Sequence, residues 1–353
     1  MALSIGIVGL PNVGKSTLFN ALTNNSALSA NYPFATIEPN TGIVPVHDPR
    51  LEELAKMYKT EKIIPATVTF VDIAGLVAGA SQGEGLGNKF LANIRECDAI
   101  VHVVRAFHDD NVVHIADHIN PKNDIEIINT ELALADLQTI EKTLPKLQKE
   151  AKSDLTIREQ VASLEAVRQS LQAGDLSNLP LTDFQILSAK PVIYLFNVDE
   201  ETLINKDRQQ QLQQMVPSSK SIFVCAKLEE ELRDLDKQES AELLTSYGVN
   251  ESGLLQLVRA AYDILGLQSY LTAGPKEVRA WTIKKGATAP QAAGVIHTDF
   301  EKGFIAAQVV DYDDLITLGS EAAAKASGKI RTEGKDYVMR PGDVVEFRFN
   351  VSK

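Results

Sequence analysis

Residues 9–16 read Gly-Leu-Pro-Asn-Val-Gly-Lys-Ser, and they directly follow a short apolar run at residues 3–8. The eight residues fit G-x-x-x-x-G-K-[ST], the pattern of a phosphate-binding loop between a strand and a helix. In such a loop, backbone N–H groups surround the β-phosphate of a nucleotide, and the following helix N-terminus adds its dipole. We therefore expect Lys15 to contact the β- and γ-phosphates and the Ser16 hydroxyl to ligate Mg²⁺.

Similar short apolar runs recur along the chain, and helical patterns separate most of them. The runs lie at residues 67–71, 100–104, 192–196 and 222–225. Short buried strands that alternate with helices predict an α/β fold with a doubly wound parallel sheet. Ligands bind such sheets beyond the carboxyl ends of the strands, so the residues after each run are the candidates for the site.

The second core strand leads into a candidate magnesium and γ-phosphate site. Asp72-Ile73-Ala74-Gly75 is a D-x-x-G sequence, in which the aspartate can hold the metal through water and the Gly75 amide can contact the γ-phosphate. Thr36 lies in the loop before this strand and offers a second hydroxyl to the metal. Five glycines between residues 75 and 87 are typical of a switch that orders and disorders with nucleotide state.

The candidate base site departs from the guanine-reading sequence N-K-x-D. Here the fourth run ends in Asn197-Val198-Asp199-Glu200, so the lysine is absent and the last acid is one methylene longer. A longer carboxylate cannot make the same two hydrogen bonds to guanine without displacement. Cys225-Ala226-Lys227 follows the next run, where GTPases carry a base-cradling Ser-Ala-Lys. These residues predict a preference for adenine, or relaxed base specificity.

Two regions interrupt or follow the alternating pattern. Between about Asp124 and Lys190, apolar residues at three-and-four spacing predict two long antiparallel helices, with Pro145 kinking or breaking the first. From about Pro275 onward, strand-like and helix-like segments predict a small separate domain. Its end, residues 337–351, is expected to form a hairpin around the turn at Pro341 and Gly342.

Composition limits the class of protein. The 353 residues include 47 acidic and 35 basic side chains, a formal charge of -12, which argues against broad non-specific adhesion to nucleic acid. Two cysteines are too few for a disulfide framework or a zinc site. No run approaches the ~20 apolar residues that a membrane helix needs. We therefore expect a cytoplasmic protein without a membrane partner.

Taken together, these residues resemble the YchF family, the Obg-like ATPases of the translation-factor class. The resemblance covers essentially the whole chain, and it rests on residues 9–23, 31–40 and 72–91 and on the N-x-x-E sequence. It implies a P-loop (OBG-type) nucleotide domain at 1–123 and 190–275, a helical, coiled-coil insertion at 124–189, and a C-terminal β-grasp TGS domain at 276–353. It also implies ATP preferred over GTP, slow Mg²⁺-dependent hydrolysis, and association with the ribosome, with the large subunit and its rRNA as the expected partner.

The same resemblance assigns catalysis to His114. A regulatory GTPase often orients the attacking water with a Gln after D-x-x-G, but Leu76 stands there and cannot form a hydrogen bond. Neutral His114, in the loop after the third core strand, can accept or orient a water proton. Asn12 matches GTPases that bind K⁺ beside the γ-phosphate; its alternative role is to shape the loop.

The nucleotide-binding prediction covers one larger set. Its members are Asn12, Val13, Gly14, Lys15, Ser16, Thr17, Gly75, Asn197, Val198 and Glu200. Three functions remain open from the sequence: a slow ATPase switch, a GTPase with relaxed base specificity, and a binding module in which nucleotide is a structural ligand and hydrolysis is vestigial. A metabolic P-loop kinase is the fourth and weakest alternative, because the sequence has no clear acceptor-substrate motif.

Overall fold

The structure is a computed structural model, which describes residues 3–23, 40–73, 86–109, 119–176, 179–180, 182–233 and 235–350. Three predicted site residues, Thr36, Gly75 and His114, lie outside these ranges. The described chain divides into two compact units. The first contains residues 3–23, 40–42 and 69–257, and the second contains residues 43–68 and 258–350.

The strands of the described chain are β1 (Ser4–Val8), β2 (Thr41–Pro45), β3 (Ile63–Ile64), β4 (Thr67–Asp72), β5 (Ala99–Ala106), β6 (Val192–Val198), β7 (Lys220–Val224), β8 (Leu267–Ala273), β9 (Val278–Lys284), β10 (Phe304–Asp311), β11 (Arg331–Glu333) and β12 (Asp343–Phe349). The α-helices are α1 (Lys15–Thr23), α2 (Pro49–Tyr58), α3 (Leu86–Glu96), α4 (Pro121–Glu150), α5 (Leu155–Gln172), α6 (Glu200–Ile204), α7 (Lys206–Gln213), α8 (Ala226–Leu232), α9 (Lys237–Ser246), α10 (Gly253–Ile264), α11 (Ala289–Ile296), α12 (Thr298–Lys302), α13 (Tyr312–Leu318) and α14 (Glu321–Ala326).

The sheet that carries the phosphate-binding loop has the order β2-β4-β1-β5-β6-β7. Its pairs β4–β1, β1–β5, β5–β6 and β6–β7 are all parallel. The central strands β1, β5 and β6 are buried nearly throughout, which explains why they read as continuous apolar runs rather than as an alternating pattern. This confirms the predicted α/β fold, and it brings the carboxyl ends of these strands to one edge.

The helical insertion begins on the sheet and continues beyond it. Ile125, near the start of α4, packs with Val104, Tyr194 and Phe196 of the sheet. Further along, α4 packs against α5 in a separate core whose buried members are Ile140, Leu144, Leu164, Val167, Leu171 and Ile186. Most of these positions belong to the predicted apolar stripes, so the predicted pair of helices is confirmed. Of the two predicted outcomes at Pro145, a kink or a break, the break is wrong, because α4 runs uninterrupted through this residue.

The second unit differs from the sequence-based boundaries. Its sheet has the order β11-β10-β12-β8-β9-β3, so β8, at residues 267–273, belongs to it although the sequence boundary was placed at 276. In addition, β3 pairs in parallel with β9, and Leu51 and Leu54 of α2 are buried in the same core as Leu271, Val278 and Val344. Residues 43–68 therefore supply part of this core, although they lie inside the predicted range 1–123.

The C-terminal strand also pairs differently from the prediction. The turn is present, since the Asp343 N–H donates to the Arg340 carbonyl at 3.2 Å. However, the residues before the turn make only an isolated bridge, Val338 to Thr288, and β12 pairs antiparallel with β10 and parallel with β8. The predicted hairpin is wrong because the partners of β12 are distant in sequence, and local turn chemistry carries no information about them.

Candidate functional site

The phosphate-binding loop has the backbone conformation that its sequence requires. Asn12 and Gly14 adopt positive φ angles of 62° and 96°. A Cβ added at Gly14 would lie 2.5 Å from the Asn197 side-chain nitrogen, so both the φ angle and the close approach exclude a side chain. Helix α1 then starts at Lys15, which points its backbone N–H groups toward the loop.

The Lys15 ammonium is folded back against its own loop. Its Nζ donates to the Leu10 carbonyl at 2.7 Å, and the residue is only 8% exposed. Burial lowers the pKa of Lys15 to about 8, and the nearby Asp72 carboxylate partly opposes this shift. Burial likewise raises the pKa of Asp72, while Lys15 lowers it. The two predicted residues therefore lie close enough to interact, as expected from the Ile7–Asp72 pairing of β1 and β4.

Asn197, at the end of β6, joins two loops of the site. Its amide nitrogen donates to the Val13 carbonyl at 3.0 Å, and its amide oxygen accepts the Ala226 N–H at 3.1 Å. The Asn197 side chain is 3% exposed; its bond to Val13 is buried and its bond to Ala226 is partly buried. Asn197 thus fixes the phosphate-binding loop relative to the start of α8.

Glu200, the predicted base reader, is engaged by a protein partner. Asp199 caps α6 by accepting the Thr202 N–H at 2.7 Å, which places Glu200 as the first residue of this helix. The Glu200 Oε1 atom accepts a hydrogen bond from the Lys227 ammonium at 3.0 Å. This hydrogen bond raises the pKa of Lys227.

A cleft of 720 Å³ lies where these loops meet. It is lined by the phosphate-binding loop and α1, by the loop after β5, by the residues that follow β6 and by the start of α8. The lining residues are Asn12, Gly14, Thr17, Phe107, His108, Asp109, Asn197, Val198, Asp199, Glu200, Glu201, Cys225, Ala226, Lys227 and Glu230. Its size is within the range of small-molecule and cofactor sites, and its place at the carboxyl ends of parallel strands is the expected one.

The structure brings together most of the predicted residues that it describes. Six of them line the cleft: Asn12, Gly14, Thr17, Asn197, Val198 and Glu200. Val13 is buried and contributes its carbonyl to Asn197, whereas Ser16 is exposed on the first turn of α1. Thr36, Gly75 and His114 lie outside the described residues, so their roles stay predictions.

Arg105, at the end of β5, supports the loop that follows this strand. Arg105 is 1% exposed, and its guanidinium donates to the carbonyls of Phe107 and Asp109, at 3.3 Å each. It also lies 4.5 Å from the centre of the Phe107 ring. Arg105 thereby shapes one wall of the cleft from beneath. The signal in the sequence was its position at the carboxyl end of a core strand.

The structure places two further histidines, one within a core strand and one at the cleft. His102 is 2% exposed within β5, and burial, followed by the charge of Lys15, lowers its pKa to about 3. It is therefore a neutral core residue. His108 lines the cleft next to Asp109.

Comparison with known proteins identifies the family. A family model described as a 50S ribosome-binding GTPase matches residues 4–134, and the YchF-GTPase C-terminal model, described as a protein of unknown function, matches residues 267–350. The chain is 53% identical over 363 residues to the "Ribosome-binding ATPase YchF" of Pasteurella multocida, covering 99% of this chain and 100% of the relative. The chain belongs to the YchF family.

A second bacterial relative and a solved structure agree with this membership. The protein of the same description in Bacillus subtilis is 47% identical over 366 residues, covering 99% of this chain and 100% of the relative. The structure described as the Schizosaccharomyces pombe YchF GTPase is 39% identical with a TM-score of 0.86, and the match covers 98% of this chain and 97% of that one. YchF membership therefore extends over both compact units and the helical insertion.

The pKa of Lys15 predicts that nucleotide affinity falls above pH 8. Below that pH the ammonium of the free protein is already charged. Phosphate anions favour the charged form and raise the pKa, so above pH 8 binding must take up a proton. We expect the ADP affinity to weaken by up to about tenfold per pH unit from this group. Calorimetric titration with ADP between pH 7 and 9.5 measures this slope.

Lys15→Arg is the matched control, because a guanidinium stays protonated over this range. The variant is expected to bind more weakly but to lose the steepening above pH 8. Titrations at pH 9 in two buffers of different ionisation enthalpy count the protons directly. Equal observed enthalpies in the two buffers would contradict proton uptake by Lys15.

Proposed function

We propose that this protein is an ATP-binding, slowly ATP-hydrolysing molecular switch that binds the ribosome. The observation that carries the nucleotide part is the base end of the cleft, where Asn197 fixes the loops but Glu200 is engaged by Lys227. A carboxylate held in this way is poorly placed to accept two hydrogen bonds from guanine. The printed description "Ribosome-binding ATPase" on relatives 43–53% identical supports the remainder.

Mg²⁺ is proposed to be the cofactor. The Ser16 hydroxyl and the Asp72 carboxylate supply the hard oxygen ligands that this ion prefers, directly or through water, and Thr36 is the third proposed contributor. Bound there, the ion would neutralise charge on the β- and γ-phosphate oxygens. Lys15 adds the second positive charge when it exchanges the Leu10 carbonyl for phosphate oxygen. K⁺ beside Asn12 is a further proposed cofactor, which turnover in K⁺ against Na⁺ buffer tests.

A GTPase with relaxed specificity is the second candidate, because the relative from Schizosaccharomyces pombe is described as a GTPase. A binding module with vestigial hydrolysis is the third. For the two additional parts of the fold, we propose that α4 and α5 form a coiled-coil arm and that the second unit is a TGS-type β-grasp domain. We further propose that the protein acts in the cytoplasm, in translation or stress regulation.

ATP is expected to bind at least about tenfold more tightly than GTP, a difference of ~1.4 kcal/mol. The reason is the loss of the guanine-accepting carboxylate, since the phosphate contacts are the same for both nucleotides. Calorimetric titration of nucleotide-free protein with non-hydrolysable analogues of ATP and GTP, in Mg²⁺ and K⁺, measures the ratio. Equal affinities, or tighter GTP binding, would favour the relaxed GTPase instead.

His114→Ala is expected to lower ATP turnover by about 10²-fold or more, the usual contribution of a group that positions or deprotonates water. Nucleotide affinity should change little, because the residue is proposed to act on the attacking water. Single-turnover hydrolysis and titration of the same preparation separate the two effects. His47→Ala, which alters a histidine of the second unit, is the control, and unchanged turnover in His114→Ala would support the vestigial-hydrolysis reading.

The exposed lysines of the helical arm are proposed to contact rRNA phosphates of the large subunit. Lys146→Gln with Lys149→Gln should weaken co-sedimentation with large subunits and flatten its salt dependence by up to about one log–log unit per lost contact. Lys206→Gln with Lys220→Gln changes the net charge equally on exposed positions outside the arm and serves as the control. Binding that is insensitive to salt, or an equal effect of both pairs, would reject the rRNA contact.

A further inference from the structure

The base end of the cleft contains an ion pair that has a consequence for base selection. We propose that Lys227 is a specificity-determining residue, which occupies the Glu200 carboxylate and thereby weakens GTP binding relative to ATP. This inference rests on the proposed nucleotide-binding function and names the side chain that sets its preference. It adds Lys227, which lies outside the altered N-x-x-E sequence, to the residues that recognise the base.

The geometry fixes both partners of the pair. Glu200 is the first residue of α6, and Asp199 caps this helix. Lys227 is the second residue of α8, whose first residue, Ala226, is bonded through its N–H to Asn197. The two helix starts are thus held on either side of the cleft, and the extra methylene of glutamate lets the carboxylate reach the ammonium at 3.0 Å.

Several other groups at this end already have protein partners. The Ala226 N–H and both polar atoms of the Asn197 amide are engaged, as described above. Glu201, the next carboxylate along α6, accepts from Arg208 at 2.8 Å. Removing the Lys227 ammonium would therefore make the Glu200 carboxylate available to a base in the cleft.

The two bases respond differently to an occupied carboxylate. The Watson–Crick edge of guanine presents two adjacent donors, N1–H and the N2 amino group, which suit a free carboxylate. An ammonium bound to that carboxylate places positive charge where these donors must approach. Adenine has an acceptor at N1 and no amino group at C2, so the cost of Lys227 falls mainly on guanine.

The exposure of the pair sets the size of the effect. The side chains of Lys227 and Glu200 are 72% and 39% exposed, so water screens the interaction. Exposed ion pairs of this kind correspond to a factor of up to about fivefold in an equilibrium constant. Lys227→Gln is therefore expected to shift the ratio of GTP to ATP affinity toward GTP by up to about fivefold. The loss of a positive charge near the phosphates affects ATP and GTP binding equally, so this effect cancels in the ratio.

The experiment measures dissociation constants for non-hydrolysable ATP and GTP analogues by calorimetry. The proteins are the wild type, Lys227→Gln, Glu200→Gln and the double variant, which form a double-mutant cycle. Lys227→Arg retains an ion pair and should keep the wild-type ratio. Lys62→Gln removes an exposed ion pair of the second unit, Lys62–Glu277 at 2.6 Å, and should also leave the ratio unchanged.

The outcomes separate this inference from the proposed function. A shift toward GTP in Lys227→Gln that disappears in the Glu200→Gln background supports it. An unchanged ratio in Lys227→Gln, or the same shift when Glu200 is already replaced, overturns it even if the wild type prefers ATP. Conversely, a wild type without ATP preference rejects the proposed ATP specificity, while the cycle still reports whether Lys227 restrains guanine binding. Thermal unfolding of each variant verifies that all are folded.

Discussion

The candidate nucleotide site depends on the side-chain amide of Asn197, which bonds to the phosphate-binding loop on one side and to the start of α8 on the other. These two segments are more than 200 residues apart in the chain (13 and 226), and each follows a different strand of the sheet. A buried amide with both of its polar atoms satisfied holds its partners in one arrangement, since releasing either bond leaves a buried polar group unpaired. Gly14 is tied to the same constraint, because only a residue without a side chain allows the Asn197 amide to approach so closely. The phosphate end and the base end of the cleft are consequently positioned by one side chain.

The charge state at the phosphate end follows from burial. Lys15 donates to a carbonyl of its own loop, which satisfies one of its donors but does not replace the solvation of a charge. Asp72 supplies an opposite charge, yet it too is partly desolvated, and neither side chain recovers its ordinary pKa. The arrangement therefore favours an anionic ligand, which restores the electrostatic balance of Lys15. At the base end, in contrast, each of the two charges has a partner, because the Glu200 carboxylate and the Lys227 ammonium form an ion pair in the open cleft.

Local sequence patterns predicted the parts of the protein whose determinants are local. The phosphate-binding loop, the five apolar runs that became β1, β4, β5, β6 and β7, and the two long helices are encoded by composition and spacing within short windows. The pairing of β12 with β10 and β8, and the burial of α2 in the second core, depend on partners distant in sequence, so spacing could not reveal them. In the site, the residue types at Asn197 and Glu200 indicated an altered base reader. Two contacts could not be predicted from the sequence: the ion pair of Glu200 with Lys227, and the hydrogen bond from Arg105 to the Phe107 carbonyl. The motifs do not specify where the partner groups of these side chains lie.

The assembly of the second core from residues 43–68 and 258–350 has a consequence for biosynthesis. Helix α2 and β3 leave the ribosome early, but β8, β9, β10 and β12, which complete their core, are made at the end of the chain. At ordinary rates of elongation the intervening residues take on the order of tens of seconds to synthesise. During that interval the apolar side of α2, with Leu51, Leu54 and Ala55, has no native partner from the C-terminal strands. The nascent chain thus passes through a stage at which the apolar side of α2 lacks the C-terminal part of its core, and a gene fragment that ends before β8 would lack these partners permanently.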